Sequence, residues 1–289
     1  MGETPMLRAS FDRLSSNLEC RARAEPITSL FFASFGVLCG QNRSSNTARG
    51  LSENHPMTWT FHAHTDADAL AAAVAECIAQ DLDAALAERG SAVLALAGGR
   101  TSPPVFRRLA TQARDWSRVT LLPTDERWVG TEHADCNLRQ MQQAFASANG
   151  INWLALVPDP PTGPFNADFA NVQLAAFPQA FDLCMLGMGA DGHFASLFPG
   201  AANLGEALGA AHAHPAISIV PDPLPSAGPH PRISLTLARL LHSRRVLLVI
   251  TGADKRAVME RAAQADPLQL PIAALLKAAH PNAQVHWSP

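Results

Sequence analysis

The sequence predicts an α/β fold with a mostly parallel sheet. Two observations carry this reading. Short apolar runs of strand length recur at residues 92–97, 119–123, 181–186 and 246–250. Between them lie segments with helical spacing, so strands alternate with helices along the chain.

Taken in order, residues 58–62 alternate and form a first strand. Residues 66–89 are Ala-rich, with apolar positions at Leu70, Val74, Ile78, Leu82 and Leu86, a long amphipathic helix that Gly90 stops. The strand at 92–97 runs into Gly98-Gly99-Arg100-Thr101-Ser102-Pro103-Pro104, and a helix follows through Val105, Phe106, Leu109 and Ala110. The strand at 119–123 ends in Thr124-Asp125-Glu126-Arg127-Trp128-Val129, and residues 133–137 open a helix through Leu138, Met141 and Phe145. A Pro/Gly loop at 158–164 precedes a short helix at 167–177. Residues 217–220 read as a further strand and 221–231 as a second Pro-rich loop. The strand at 246–250 ends in Thr251-Gly252-Ala253-Asp254-Lys255 and a helix through Val258 and Met259. Residues 284–287 read as a last, edge strand.

The chain has 289 residues, 47% hydrophobic and 16% charged, the composition of a packed globule. Its net charge is −3 and no basic block stands out, which removes the electrostatic basis for nucleic-acid binding. The five cysteines are odd in number, widely spaced and form no CxxC pair, which favours a reducing compartment and indicates neither a zinc site nor a disulfide framework. Tyr is absent, so no phenol serves as acid or base. His62/His64 and His212/His214 alternate, but without a carboxylate cluster they read as incidental surface histidines.

Residues 1–56 show no sustained period and end in a polar run at 41–55. The apolar stretch at 27–39 is too short to span a bilayer as a helix. It starts late and lacks an evident small-x-small cleavage site, which argues against a secretory signal. These residues read as a disordered extension or a mis-assigned start, and residues 57–289 as the working domain of a cytoplasmic protein.

The chemistry gathers at Gly187-Met188-Gly189-Ala190-Asp191-Gly192-His193, a glycine-punctuated turn at the carboxyl end of an apolar strand. Open α/β sheets bind ligands at such ends. Histidine side chains are suited to take a proton from water near neutral pH. Residues 98–101 leave backbone N–H groups and a helix N-terminus facing an anion, although a Gly-Gly turn alone is usually only a turn. Lys255 stands in the first turn of a helix, where the dipole disfavours a cation unless an anion binds.

The string 187–193, followed by Ala195-Ser196-Leu197-Phe198-Pro199-Gly200, resembles the signature of the 6-phosphogluconolactonases, which share a superfamily with the glucosamine-6-phosphate deaminases. The loop 98–101, the Asp125-Glu126-Arg127 triplet and Pro231-Arg232-Ile233-Ser234-Leu235-Thr236 resemble further family segments, in the family's order. Three departures stand out. Phe194 replaces a common Thr, Cys136 a common Ser, and Ser102 is inserted before Pro103. Cys136 itself is not read as a nucleophile.

The resemblance, covering about 57–289, implies a Rossmann-like sheet flanked by helices, with a small antiparallel addition near the Pro-rich loops. It implies hydrolysis of 6-phospho-D-glucono-1,5-lactone to 6-phosphogluconate in the oxidative pentose phosphate route, with a phosphorylated sugar lactone as partner and without metal or organic cofactor. By the same resemblance His193 is the general base, and Asp191 orients it or shapes the turn. Gly98, Gly99, Arg100, Thr101, Asp125, Arg127, Arg232 and Lys255 surround the substrate. Two alternatives are an aminosugar-phosphate deaminase/isomerase and a sugar-phosphate-sensing regulator. The deaminases place a Glu where Phe198 stands, and residues 1–56 lack the basic helix-turn-helix of the regulators.

Overall fold

The computed structural model describes residues 59–209, 213–226 and 228–289. The segment 1–56, its apolar stretch, and His212 lie outside the described residues.

The described residues open with β1 (Thr60–Ala63) and α1 (Ala67–Arg89), then β2 (Ala92–Leu96), α2 (Ser102–Ala110) and β3 (Val119–Pro123). Next come β4 (Asp125–Arg127), α3 (Asn137–Ala144), β5 (Asn152–Trp153) and α4 (Asp168–Ala175). β6 (Leu183–Leu186), α5 (Leu204–Ala207), β7 (Ala216–Ile219), β8 (Arg232–Leu235) and α6 (Leu237–Leu241) follow. β9 (Val246–Thr251), α7 (Ala253–Arg261), α8 (Ile272–Lys277) and β10 (Ala283–Ser288) complete it. The α1 boundaries are set chemically. Asp66 caps the first turn by accepting from the Ala69 N–H at 2.8 Å, and Gly90, at φ 79°, closes the last.

Seven strands form a sheet in the order β1-β10-β9-β6-β2-β3-β5, every pair parallel. Strand alternation divides the core between its two faces. Leu183, Met185, Leu247 and Val249 pack with α1, α2 and α3 on one side. Cys184, Leu186, Val246, Leu248 and Ile250 pack with α4, α6, α7 and α8 on the other. Both faces are covered, which is why these strands read as unbroken apolar runs.

A second sheet, β4-β8-β7, is antiparallel and supplies the expected small addition. Two readings need correction. β10 is not an edge strand but lies between β1 and β9, because β1, far from it in sequence, pairs with its outer side. His62 and His64 are not incidental surface groups. Their rings stack on buried His286, with centroids 4.8 and 5.2 Å away.

Candidate active site

Chain order reverses between β2 and β6, so their carboxyl ends diverge and leave a crevice. Three loops enter it. Residues 97–101 follow β2, 187–193 follow β6, and the turn into α7 follows β9. The small sheet adds Asp125, Arg127 and Arg232 to its wall. The resulting cleft, about 160 Å³, is lined by Gly98, Gly99, Arg100, Thr101, Asp125, Arg127, His193, Arg232 and Lys255. Asp191 does not line it but touches a residue that does. All the site residues expected from the sequence therefore meet at one place.

His193 Nδ1 lies 2.6 Å from Asp191 Oδ1, and the same oxygen accepts the His193 backbone N–H at 3.2 Å. Asp191 thus both orients the ring and shapes the turn. Burial alone would raise the Asp191 carboxyl, but these hydrogen bonds and the imidazole charge bring it below its ordinary value. An ionised Asp191 assigns the ring proton to Nδ1 and leaves Nε2 as the basic nitrogen. The turn needs its glycines. A Cβ on Gly189 would stand 2.2 Å from His193 Nδ1, and one on Gly192, at φ 80°, would stand 2.4 Å from Leu270 Cδ1. Ala195, which also lines the cleft, holds φ 47°, a left-handed conformation that strains an L side chain.

The His193 ring stacks on Phe198, with centroids 4.0 Å apart, and the Arg232 guanidinium lies over the same ring at 5.1 Å. The position where the deaminases carry a carboxylate is therefore filled by a phenyl ring that fixes the imidazole plane. Phe194 points the other way. It is fully buried in the core and is not among the residues that line the cleft.

β4 explains the charged triplet. Alternation sends Asp125 and Arg127 to the cleft and Glu126 to the opposite side. There buried Glu126 accepts the backbone N–H groups of Asn137 and Leu138, each at 2.8 Å, and so caps α3. Burial raises the Glu126 carboxyl despite these bonds. Arg127 pairs across the small sheet with Arg232. Asp125 accepts from Ser196 Oγ at 2.5 Å and lies 3.9 Å from Arg232 Nη1. Burial lowers the proton affinity of Arg232, which Asp125 partly offsets; burial likewise lowers that of Lys255, with Asp254 opposing and Arg100 adding. Arg127 Nε and Arg232 Nε are buried without a hydrogen-bond partner.

Ser102 opens α2, with Thr101 at its N-cap, and its Oγ donates to the Gly98 carbonyl at 3.1 Å. Ser102 is thus part of the first helical turn, and the loop 98–101 lines the cleft. Burial pushes the Cys136 thiol up to about 11, consistent with its exclusion as a nucleophile.

Sequence reasoning missed Asn137, Ser196 and the stacking role of Phe198. Asn137 lines the cleft, bonds the Asp125 carbonyl through Nδ2 at 2.7 Å, and leaves Oδ1 buried and unpartnered beside Gly98. In the sequence it signals only a helix start.

The family model of glucosamine-6-phosphate isomerases/6-phosphogluconolactonase matches residues 65–287. The chain is 34% identical to the 6-phosphogluconolactonase of Pseudomonas putida over 247 residues, 83% of this chain and 98% of that one. It is 36% identical to that of Caulobacter vibrioides over 220 residues, 75% of this chain and 91% of the other. A solved 6-phosphogluconolactonase from Shewanella baltica superposes with a TM-score of 0.73 at 32% identity, covering 80% of this chain and 98% of its own. The extent of these matches and the shared arrangement of strands lead to one conclusion: the chain belongs to the glucosamine-6-phosphate isomerase/6-phosphogluconolactonase family.

Proposed function

We propose that the protein is a 6-phosphogluconolactonase of the oxidative pentose phosphate pathway, hydrolysing 6-phospho-D-glucono-1,5-lactone to 6-phosphogluconate. The observation that carries this reading is the Asp191–His193 pair at the wall of a cleft that also holds Arg100, Arg127, Arg232 and Lys255. A base and an anion cradle within one small cleft suit a neutral ester bearing a remote phosphate. Phe198, stacked on His193, supports lactone hydrolysis over deamination, because no carboxylate stands there.

In this reading the loop 98–101, Arg127 and Lys255 hold the phosphate, and that remote binding orients the lactone carbonyl. His193 Nε2 takes a proton from water as the oxygen attacks C1. Arg232 and backbone N–H groups stabilise the oxyanion. The tetrahedral intermediate collapses with cleavage of the C1–ring oxygen bond, and the imidazolium returns its proton to that oxygen. Asp191 keeps the ring in the tautomer that both transfers need. The lactone is already an activated acyl group, so His193 and a water suffice for the chemistry. No described helix is long and apolar enough to cross a membrane, and we place the reaction in the cytoplasm.

The test is the loss of freshly generated phosphogluconolactone on adding purified protein, compared with spontaneous hydrolysis. A rate above background is expected. A rate equal to background, with ammonia released from glucosamine 6-phosphate, would reverse the choice.

A further inference from the structure

Three groups outside the cleft lining converge although the sequence separates them. His133 and Asp135 precede α3, and His230 lies just before β8. His230 Nε2 is 2.9 Å from Asp135 Oδ2, and His133 Nδ1 is 3.9 Å from the same oxygen. The two imidazoles meet edge to face, with centroids 5.0 Å apart. One donor atom from each of the three residues lies within 4.8 Å of the others.

We propose that His133, Asp135 and His230 form a binding site for one divalent transition-metal ion, with zinc as the ion that the donors suit. Two imidazole nitrogens and one carboxylate oxygen match zinc, whereas magnesium and calcium take all-oxygen shells. Ligand bonds near 2.0–2.2 Å in a tetrahedron put neighbouring donor atoms about 3.3 Å apart, and the observed 2.9 and 3.9 Å separations bracket that value. Part of each side chain is exposed, which leaves a fourth position open to water. Binding replaces two contacts, the His230–Asp135 hydrogen bond and the one that His133 Nδ1 accepts from the Asp135 N–H at 3.1 Å. Both are modest beside three metal–ligand bonds.

The site has a structural consequence for the cleft. Arg127 Nη1 donates to the Asp135 carbonyl, and the Trp128 N–H donates to the Pro231 carbonyl at 2.8 Å. Arg232 Nη2 donates to the Gly228 carbonyl at 2.8 Å. A metal ion on these three ligands therefore fastens together the two segments that seat Arg127 and Arg232. It takes no part in the proton transfers of His193.

The test uses the full chain, stripped with a chelator and titrated with zinc chloride by calorimetry, alongside thermal melting with and without zinc. The expected result is one saturable site per chain that raises Tm. His230→Ala and His133→Ala should each weaken it at least roughly tenfold and abolish the rise in Tm, as loss of a ligand requires. His230→Gln serves the same purpose with less change in volume, and circular dichroism establishes that each variant is folded. His64→Ala, at the other histidine group, should leave binding unchanged. Absence of saturable binding to the wild type, or undiminished binding to folded His230→Ala or His230→Gln, would overturn the proposal.

Discussion

The cleft is built by two regions that place their functional groups differently. At the carboxyl end of the parallel sheet, His193 and the loop 98–101 ride on glycine turns and Lys255 follows Gly252 in the first turn of α7, and a Cβ at Gly98, Gly189, Gly192 or Gly252 would meet a neighbouring atom within 2.5 Å. In the small antiparallel sheet, Asp125, Arg127 and Arg232 ride on strands, where alternation and cross-strand pairing aim them. The first region positions chemistry through backbone conformation, the second through register. The proposed division of labour follows that line, with the proton-transferring base on a turn and most of the anion-directed guanidinium groups on strands.

The sharpest way to break the comparison is to put a methyl group into the turn. Gly189→Ala places a Cβ against His193 Nδ1 and Asp191 Oδ1. We expect kcat to fall by roughly 10²–10⁴-fold, the range for loss of a general base, in a protein that stays folded by circular dichroism. Unchanged kcat would mean that the turn does not position the imidazole.

The strand region should respond with a smaller and different effect. Arg127→Ala removes a charged donor aimed by cross-strand register and by its Nη1 bond to the Asp135 carbonyl, and KM should rise by about 10–100-fold, the equivalent of one hydrogen bond to a charged group. A fall in kcat with constant KM would place Arg127 in the chemistry instead.

A third effect lies at the outer strands of the parallel sheet. Burial, followed by the charges of His62, His64 and Arg245, lowers the His286 imidazole to about 3. The unfolded chain takes that proton near pH 6.5, so below this pH it binds more protons than the folded one. The stabilisation is complete above pH 6.5 and is lost as pH falls towards 3, at up to about 1.4 kcal/mol per unit. Urea unfolding at pH 7.5 and 5 should show it, and His286→Gln should flatten the slope. Equal slopes in the two proteins would remove His286 as its source.

The smallest expected effect concerns residues 1–56. We propose that the lactonase unit begins at Met57, because every patterned element and the family match lie beyond it. Protein starting at Met57 should keep kcat and KM within error, and a loss of activity would contradict this.

The same contrast explains what is legible in the amino-acid order alone. Glycine loops after apolar runs mark strand ends directly, so the segments at 98–101, 187–193 and 251–255 declare themselves locally. The small sheet leaves a weaker signal. β4 is three charged residues with no β-forming composition, and its partner β8 stands about a hundred residues away, so only pairing reveals it as a strand. Ser196 escapes for a related reason, since its partner Asp125 is remote in sequence, and Asn137 because its place at the start of a helix already accounts for it. β10 reads as an edge strand because no local pattern shows that β1 covers it.

We infer that the turn supplies the base while phosphate recognition lies elsewhere in the cleft. The most direct test measures kcat and KM of wild type and His193→Ala on phosphogluconolactone and on gluconolactone lacking the phosphate. We expect His193→Ala to lower kcat on both lactones by a similar factor, roughly 10²–10⁴, with modest change in KM. Near-normal kcat on either lactone, in a folded protein, would contradict the assignment and leave the turn as a structural corner.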